Sequence, residues 1–286
     1  MAGNDSYTKL LLHMDDVALS DDSGSNHSTT KIGGAARSDA QVKFGGYSMY
    51  VDGSGDRLQI PNDSDFDFGT GDFTIDLWIR AASLGTYRDI VGRRNLSANN
   101  TPFLIQHGHS SERIHFGYAD TNGSWVFSNK HIGDITVNTW HHIAVVRSGS
   151  NWYTFLDGVA GDTWTDGSTS LWLNSEDLYV GGTSTAQFHG YIDELRISKG
   201  IARWTENFTP PTEAYSQSYI VGGTLSDDAR VLVISESGWT ILDNDTYSAG
   251  SYQADLGSSD PGQVLVLARK SDGEVLVYGN VDTTLA

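Results

Sequence analysis

Apolar residues recur at every second position in short runs, and no long stretch carries helical apolar spacing. In Asp72–Arg80, Phe73, Ile75, Leu77 and Ile79 fall on one side and Thr74, Asp76, Trp78 and Arg80 on the other, which predicts a half-buried strand with Asp76 in solvent. Thr139–Arg147 sets His141, Ile143, Val145 and Arg147 against Trp140, His142, Ala144 and Val146, so both faces of this strand are expected to be covered. Asn151–Leu156 runs into Asp157-Gly158, a pair suited to a two-residue hairpin turn. Leu178–Gly182 and Tyr191–Ser198 read as further strands. Simple alternation places Asp193 on the same side as Leu195 and Ile197. Turn signals are dense (Asp22–Gly24, Gly33-Gly34, Gly45-Gly46, Asp52-Gly53, Asp166-Gly167). Short strands with such punctuation predict an all-β chain built as a sandwich or jelly roll of antiparallel sheets.

Pro210-Pro211 can continue neither a helix nor a sheet ladder. It closes a first domain, 1–211, and Thr212–Gln217 reads as a stiff polar linker. Strand patterns resume at Ser218–Leu225, Ala229–Ser235, Trp239–Leu242, Ser251–Leu256, Gln263–Lys270 and Glu274–Val281, predicting a small β-sandwich over 218–286.

Composition narrows the chemistry. The 286 residues carry 36 Asp+Glu against 18 Lys+Arg, a net charge of −18, with 32 Gly, 5 Pro and no Cys. Without cysteine there is no disulfide framework, thiol nucleophile or thiolate metal site. The acidity argues against a nucleic-acid partner, which needs clustered Lys and Arg. No apolar run approaches the roughly 20 residues of a membrane helix. The opening Met1–Asp16 lacks the features of a secretory leader.

Ordered segments carry a family resemblance: Leu10–Asp16, Asp22–Gly24, Lys43–Gly53, Phe66–Trp78, Trp140–Arg147, Phe155–Gly158, Gly190–Gly200 and Ala202–Pro211. Together they resemble the laminin-G-like, concanavalin A-like jelly rolls, in the version common in phage virion proteins. The resemblance implies two curved antiparallel sheets with the first and last strands adjacent. It also implies a bacteriophage virion structural protein (capsid decoration protein, head fibre or tail adhesin) at the particle surface, displaying the module for host attachment. Partners would be other virion proteins, further copies of the chain and a host-surface glycan. Gly223–Leu225, Ala229–Ile234, Gly250–Tyr252, Val264–Lys270 and Asp272–Asn280 resemble the carboxypeptidase-regulatory-like small β-sandwich.

Related jelly rolls include glucanases, whose acids lie on one strand face as Glu-x-Asp-x-Glu. Here the corresponding strand offers Asp76 alone, so the two carboxylates of glycoside hydrolysis are missing and no enzyme is expected. Carbohydrate binding, the alternative reading, needs aromatic platforms beside polar groups. Trp125, Trp164, Arg93, Arg94 and Asn95 are the candidates. Related folds often hold a structural calcium where the terminal strands meet. Asp193, Asp16 and Asp52 are the candidate ligands, since a carboxylate on an apolar face needs a cation, a hydrogen-bond cage or a proton. The alternative is that Asp193 caps backbone amides or pairs with Arg196 or Arg57. His141 and His142 point to opposite strand faces and cannot share a metal.

Overall fold

The computed structural model describes residues 4–84, 87–94, 101–108, 112–119, 125–167, 169–171, 173, 175–183 and 186–215, and beyond these the six strands between 220 and 282. Contacts divide the chain into two units, one of residues 7–214 and one of 215–286 with 1–6.

The larger unit is a pair of antiparallel sheets. With strands numbered along the chain, the first sheet contains β1 (Thr8–Leu12), β3 (Ala36–Ser38), β4 (Ser48–Asp52), β6 (Phe73–Ala81), β11 (His141–Ser148), β12 (Asn151–Leu156), β13 (Val159–Thr165) and β15 (His189–Lys199). Its order is β13-β12-β11-β6-β15-β4-β3, with β1 also paired to β15. The second sheet contains β2 (Thr30–Ile32), β5 (Arg57–Ile60), β7 (Arg88–Gly92), β8 (Leu104–His107), β9 (Arg113–Ala119), β10 (Trp125–Asp134) and β14 (Leu178–Val180), in the order β10-β9-β8-β7-β14-β5-β2. The expected adjacency of first and last strands is present: Leu10 lies opposite Ile197 and Leu12 opposite Leu195.

One apolar core fills the space between the sheets. Ile75, Leu77, Ile79, Ile143 and Val145 of the first sheet meet Leu58, Ile60, Ile90, Ile105 and Phe116 of the second, all fully buried. Trp152 is also fully buried and stacks on Tyr118 at 4.7 Å. The Asp157-Gly158 hairpin forms as its sequence predicts. Both residues take positive φ (51° and 77°), which the twist of a tight two-residue turn requires. A side chain at position 158 would run into the Phe208 carbonyl, 1.9 Å from an ideal Cβ.

The first sheet's outer face departs from the expected half-buried strand. Every residue of β6 is buried except the half-buried Arg80. The cover is the segment 201–208, which returns across β11 and β12. Trp204 and Phe208 stack at 4.1 Å and close over Ala144, Val146 and Phe155. Thr74 ties this segment down, donating from Oγ1 to the Ile201 carbonyl and accepting from the Arg203 amide.

In the C-terminal unit, β16 (Ile220–Leu225) pairs with β19 (Gly250–Asp255). The strands β17 (Ala229–Ser235), β18 (Ile241–Tyr247), β20 (Gln263–Lys270) and β21 (Val275–Asp282) form a second antiparallel sheet in the order β18-β17-β20-β21. Among the described residues no helix is long and apolar enough to cross a membrane.

Candidate functional site

The outer face of the first sheet contains a buried centre and an open end. At the centre lies Asp76, which is fully buried rather than solvated. It accepts from Arg196 Nε at 3.1 Å and Nη2 at 3.3 Å, and His142 Nε2 stands 3.6 Å away. Arg196 is sandwiched in turn against the Trp204 ring at 5.6 Å. The position that corresponds to a glucanase acid is therefore occupied by one half of an internal ion pair. Such a pair stabilises little in itself, but removing one partner strands the other charge.

Asp193 adjoins this centre, and its placement corrects the alternation reading. Asp193 pairs with Trp78 and Arg196 with Asp76, so three steps along β15 match two along β6. The extra residue is a β-bulge at Glu194, whose φ is 49°. The bulge reverses the parity: Leu195 and Ile197 face the core, whereas Asp193 faces outward beside Trp78. The loop bearing Lys43 and Phe44 covers it. Their amides donate to Asp193 Oδ2 at 2.9 and 3.2 Å, so the capping alternative describes this oxygen. Oδ1 has no hydrogen-bond partner among the described residues. Burial, with Glu194 and Asp15 nearby, pushes the Asp193 carboxyl up to about 8, against the pull of the two amides. Glu194 bonds His13 Nδ1 at 2.7 Å. Burial opposes the positive charge on His13, but Glu194, Asp22 and Asp15 together raise its pKa.

The three candidate calcium ligands are not brought together. Asp52 lies opposite His189, four residues or about 13 Å along the strand from Asp193. Its Oδ1 accepts from the Ser54 amide at 2.7 Å. Asp16 spends both oxygens on Ser20, at 2.9 and 2.6 Å. The orphaned Oδ1 of Asp193 is the one feature of the trio that suits a cation. Its acidic neighbours are Glu194 and Asp15, of which Asp15 is an expected neighbour from the sequence and Glu194 is not.

The predicted sugar-binding residues also scatter. Arg93 is fully buried and is no surface group. It donates to the carbonyls of Glu176 and Phe66 at 3.1 Å, to Asp67 Oδ1 at 2.6 Å and to Asn62 Oδ1. A guanidinium carries five donors, and here they gather the acceptors of loops that have no strand partner. Arg94 pairs with the buried Asp89 at 3.2 Å. Trp164 is half-buried, stacked on Trp152 at 5.4 Å, with Lys130 Nζ 4.8 Å from its ring centre. Asn95 and the side chain of Trp125 lie outside the described residues.

The open end of the same face presents a different set. Arg80 of β6, Tyr191 of β15 and Tyr50 of β4 stand side by side across three adjacent strands. All three are half-buried. The tyrosine rings are 5.0 Å apart and tilted by 45°, and Arg80 lies 6.0 Å from the Tyr191 ring centre. His189 follows on the same face, 6.4 Å from Tyr50 and bonded through Nδ1 to Ser83 Oγ at 2.9 Å. The exposed Asn138 bonds Arg80 at 3.2 Å, and the exposed Asp52 flanks His189. Burial, then Tyr191 and the carboxylates of Asp52 and Asp56, raise the Tyr50 pKa, so its hydroxyl stays protonated and able to donate. Sequence reasoning missed this row. The available signal was that Tyr50 and Tyr191 both occupy the non-core phase of their strands; their cross-strand register is not written in either segment.

Residues 52–206 match the family described as the concanavalin A-like lectin/glucanases superfamily, Laminin_G_3. The chain belongs to this family. No curated protein sequence matches it. Among solved structures, this concanavalin A-like chain resembles domain 4 of AbnA, a GH43 extracellular arabinanase from Geobacillus stearothermophilus, in complex with arabinotriose. The TM-score is 0.51 and the identity 17%, over 71% of this chain and 95% of that one. It also resembles the binding domain of Paraclostridial Mosquitocidal Protein 1, with TM-score 0.54 and 14% identity over 96% of this chain and 73% of that one. The botulinum neurotoxin serotype D binding domain aligns at TM-score 0.52 and 11% identity, over 97% and 80% of the respective chains. At these identities the likeness bears on the fold, which is the concanavalin A-like sandwich implied by the resemblance of the ordered sequence segments.

Proposed function

We propose that the chain is a non-enzymatic glycan-binding module, and that Tyr50, Tyr191 and Arg80 form its sugar platform. The observation that carries this reading is the row itself: two tilted aromatic rings and a guanidinium, half-exposed on the sheet face whose centre is covered by Trp204 and Phe208. A pyranose ring lays its C–H face on tyrosine, while Arg80, Asn138, His189 and Asp52 supply donors and acceptors for its hydroxyls. The net charge of −18 disfavours polyanionic glycans, so the ligand class is neutral sugar. Similar folds belong to domains whose names record arabinotriose or a binding role, which supports a binding module over a catalyst. The burial of Asp76 against Arg196 supports the same choice, since a neutralised internal carboxylate is no general acid for a bound sugar.

The finer reading places this module on a bacteriophage particle, as a homo-oligomeric decoration, fibre or adhesin protein that contacts other virion proteins. Its support is the resemblance of the ordered sequence segments to phage virion jelly rolls. A structural calcium belongs to the same reading, with the free Asp193 Oδ1 and the neighbouring carboxylates of Asp15 and Glu194 as the groups that would hold it. The deciding experiment is a neutral-glycan array probed with the full chain beside Tyr191→Ala, Tyr50→Ala and Arg80→Ala. Retained glycans that are lost in all three variants support the proposal. No retained glycan, or retention untouched by the substitutions, removes it.

A further inference from the structure

Away from the tyrosine row, His27, Asp63 and Asp65 converge. One ligand atom from each lies within 4.8 Å of the other two. His27 is on the segment between β1 and β2. Its amide donates to Asp21 Oδ2 at 2.8 Å, and Asp21 in turn accepts from the Leu11 amide at 2.9 Å, so the histidine backbone is pinned to β1. Asp65 lies in the 3-10 turn at Ser64–Phe66, and Asp63 is its N-cap. There Asp63 Oδ1 caps the Asp65 amide at 2.8 Å. Phe66 packs its ring 4.8 Å from the imidazole.

A second observation points to a ligand. The His27 side chain is 10% exposed, and its Nε2 is buried with no hydrogen-bond partner among the described residues. A buried ring nitrogen left in this state is costly. The atom it faces, Asp65 Oδ2, is 3.3 Å away, beyond the usual span of a charge-assisted hydrogen bond. That separation is the edge of a tetrahedral metal site, since bonds of about 2.0–2.1 Å at tetrahedral angles set neighbouring ligand atoms about 3.3 Å apart. Ser25 Oγ donates to Asp65 Oδ2 at 2.7 Å, which orients the carboxylate from behind as outer-shell partners of metal ligands do.

We propose that His27, Asp63 and Asp65 bind a zinc-class divalent cation. One imidazole nitrogen and two carboxylates suit a borderline ion of small radius, with a remaining position for water. Calcium favours six to eight oxygens and takes imidazole poorly. The ion would tie the segment after β1 to the turn before β6.

The test is a calorimetric titration of the untagged, chelator-stripped full chain with zinc chloride. Wild type should take up one equivalent that is lost, or weakened about tenfold or more, in His27→Gln, Asp63→Asn and Asp65→Asn. Asp16→Asn, outside the cluster, should keep it. The two Asp→Asn changes preserve side-chain shape, so they decide the matter even if His27→Gln impairs folding. No zinc uptake by wild type, or uptake that survives either Asp→Asn change, overturns the proposal. Displacement of the zinc by millimolar-scale calcium overturns the assignment to a zinc-class ion.

Discussion

The two ends of one sheet face have opposite fates. At the β11 and β12 end, Ala144, Val146 and Phe155 lie under Trp204 and Phe208, and the polar residues beside them, Asp76 and Arg196, form a buried ion pair. At the end carrying Tyr50, Tyr191 and Arg80 no such segment returns among the described residues, and the same alternation leaves aromatic rings and a guanidinium half in solvent. The strands are continuous between the two. What separates structure from function on this face is a cover supplied from elsewhere in the chain, and the polar phase of a strand does not announce it.

Removing the buried pair should produce the largest effect and sharpen this contrast. Asp76→Ala leaves the Arg196 guanidinium buried without its carboxylate and should cost about 3–5 kcal/mol in chemical denaturation. Trp204→Ala opens the cover and should cost about 3 kcal/mol. A loss below about 1 kcal/mol in either would mean that the covered end is not the structural half.

The pH response is the next largest. Asp193 is held at about 8 in the fold, while an unfolded Asp titrates near 3.9. The folded state therefore keeps a proton that the unfolded chain has released. Its stabilising contribution is complete below about pH 4 and lost as pH rises through about 8. The raised His13 acts in the same direction, losing its contribution as pH climbs past its folded pKa. The wild-type melting curve should fall relative to Asp193→Asn between about pH 4 and 8. Saturating calcium should flatten that difference, because a cation beside Oδ1 favours the ionised form. A difference curve that is flat without calcium contradicts the burial of Asp193.

Much of the fold was legible and much of the site was not, for identifiable reasons. Strands were readable because facing the apolar core between the sheets imposes period two, as in Phe73–Ile79, and the hairpin because Asp157-Gly158 tolerates positive φ. The pairing of β1 with β15 followed from the family resemblance. Three things were hidden. The bulge at Glu194 reversed the parity of β15, so Asp193 was assigned to the wrong face. Arg93 looked like a surface cation because sequence cannot show that loop carbonyls surround it. The Tyr50–Tyr191–Arg80 row is a matter of register among three strands that are distant in sequence.

The smallest expected stability change accompanies the most telling measurement. Tyr191→Ala should lower stability by about 1 kcal/mol, the scale of one lost aromatic pair, because its ring is half in solvent. Its glycan retention, measured beside its melting temperature, tests directly whether the open end is the working half of the face. The account predicts abolished retention with a nearly unchanged melt. Undiminished retention, or a melt depressed as far as that of Trp204→Ala, would contradict it.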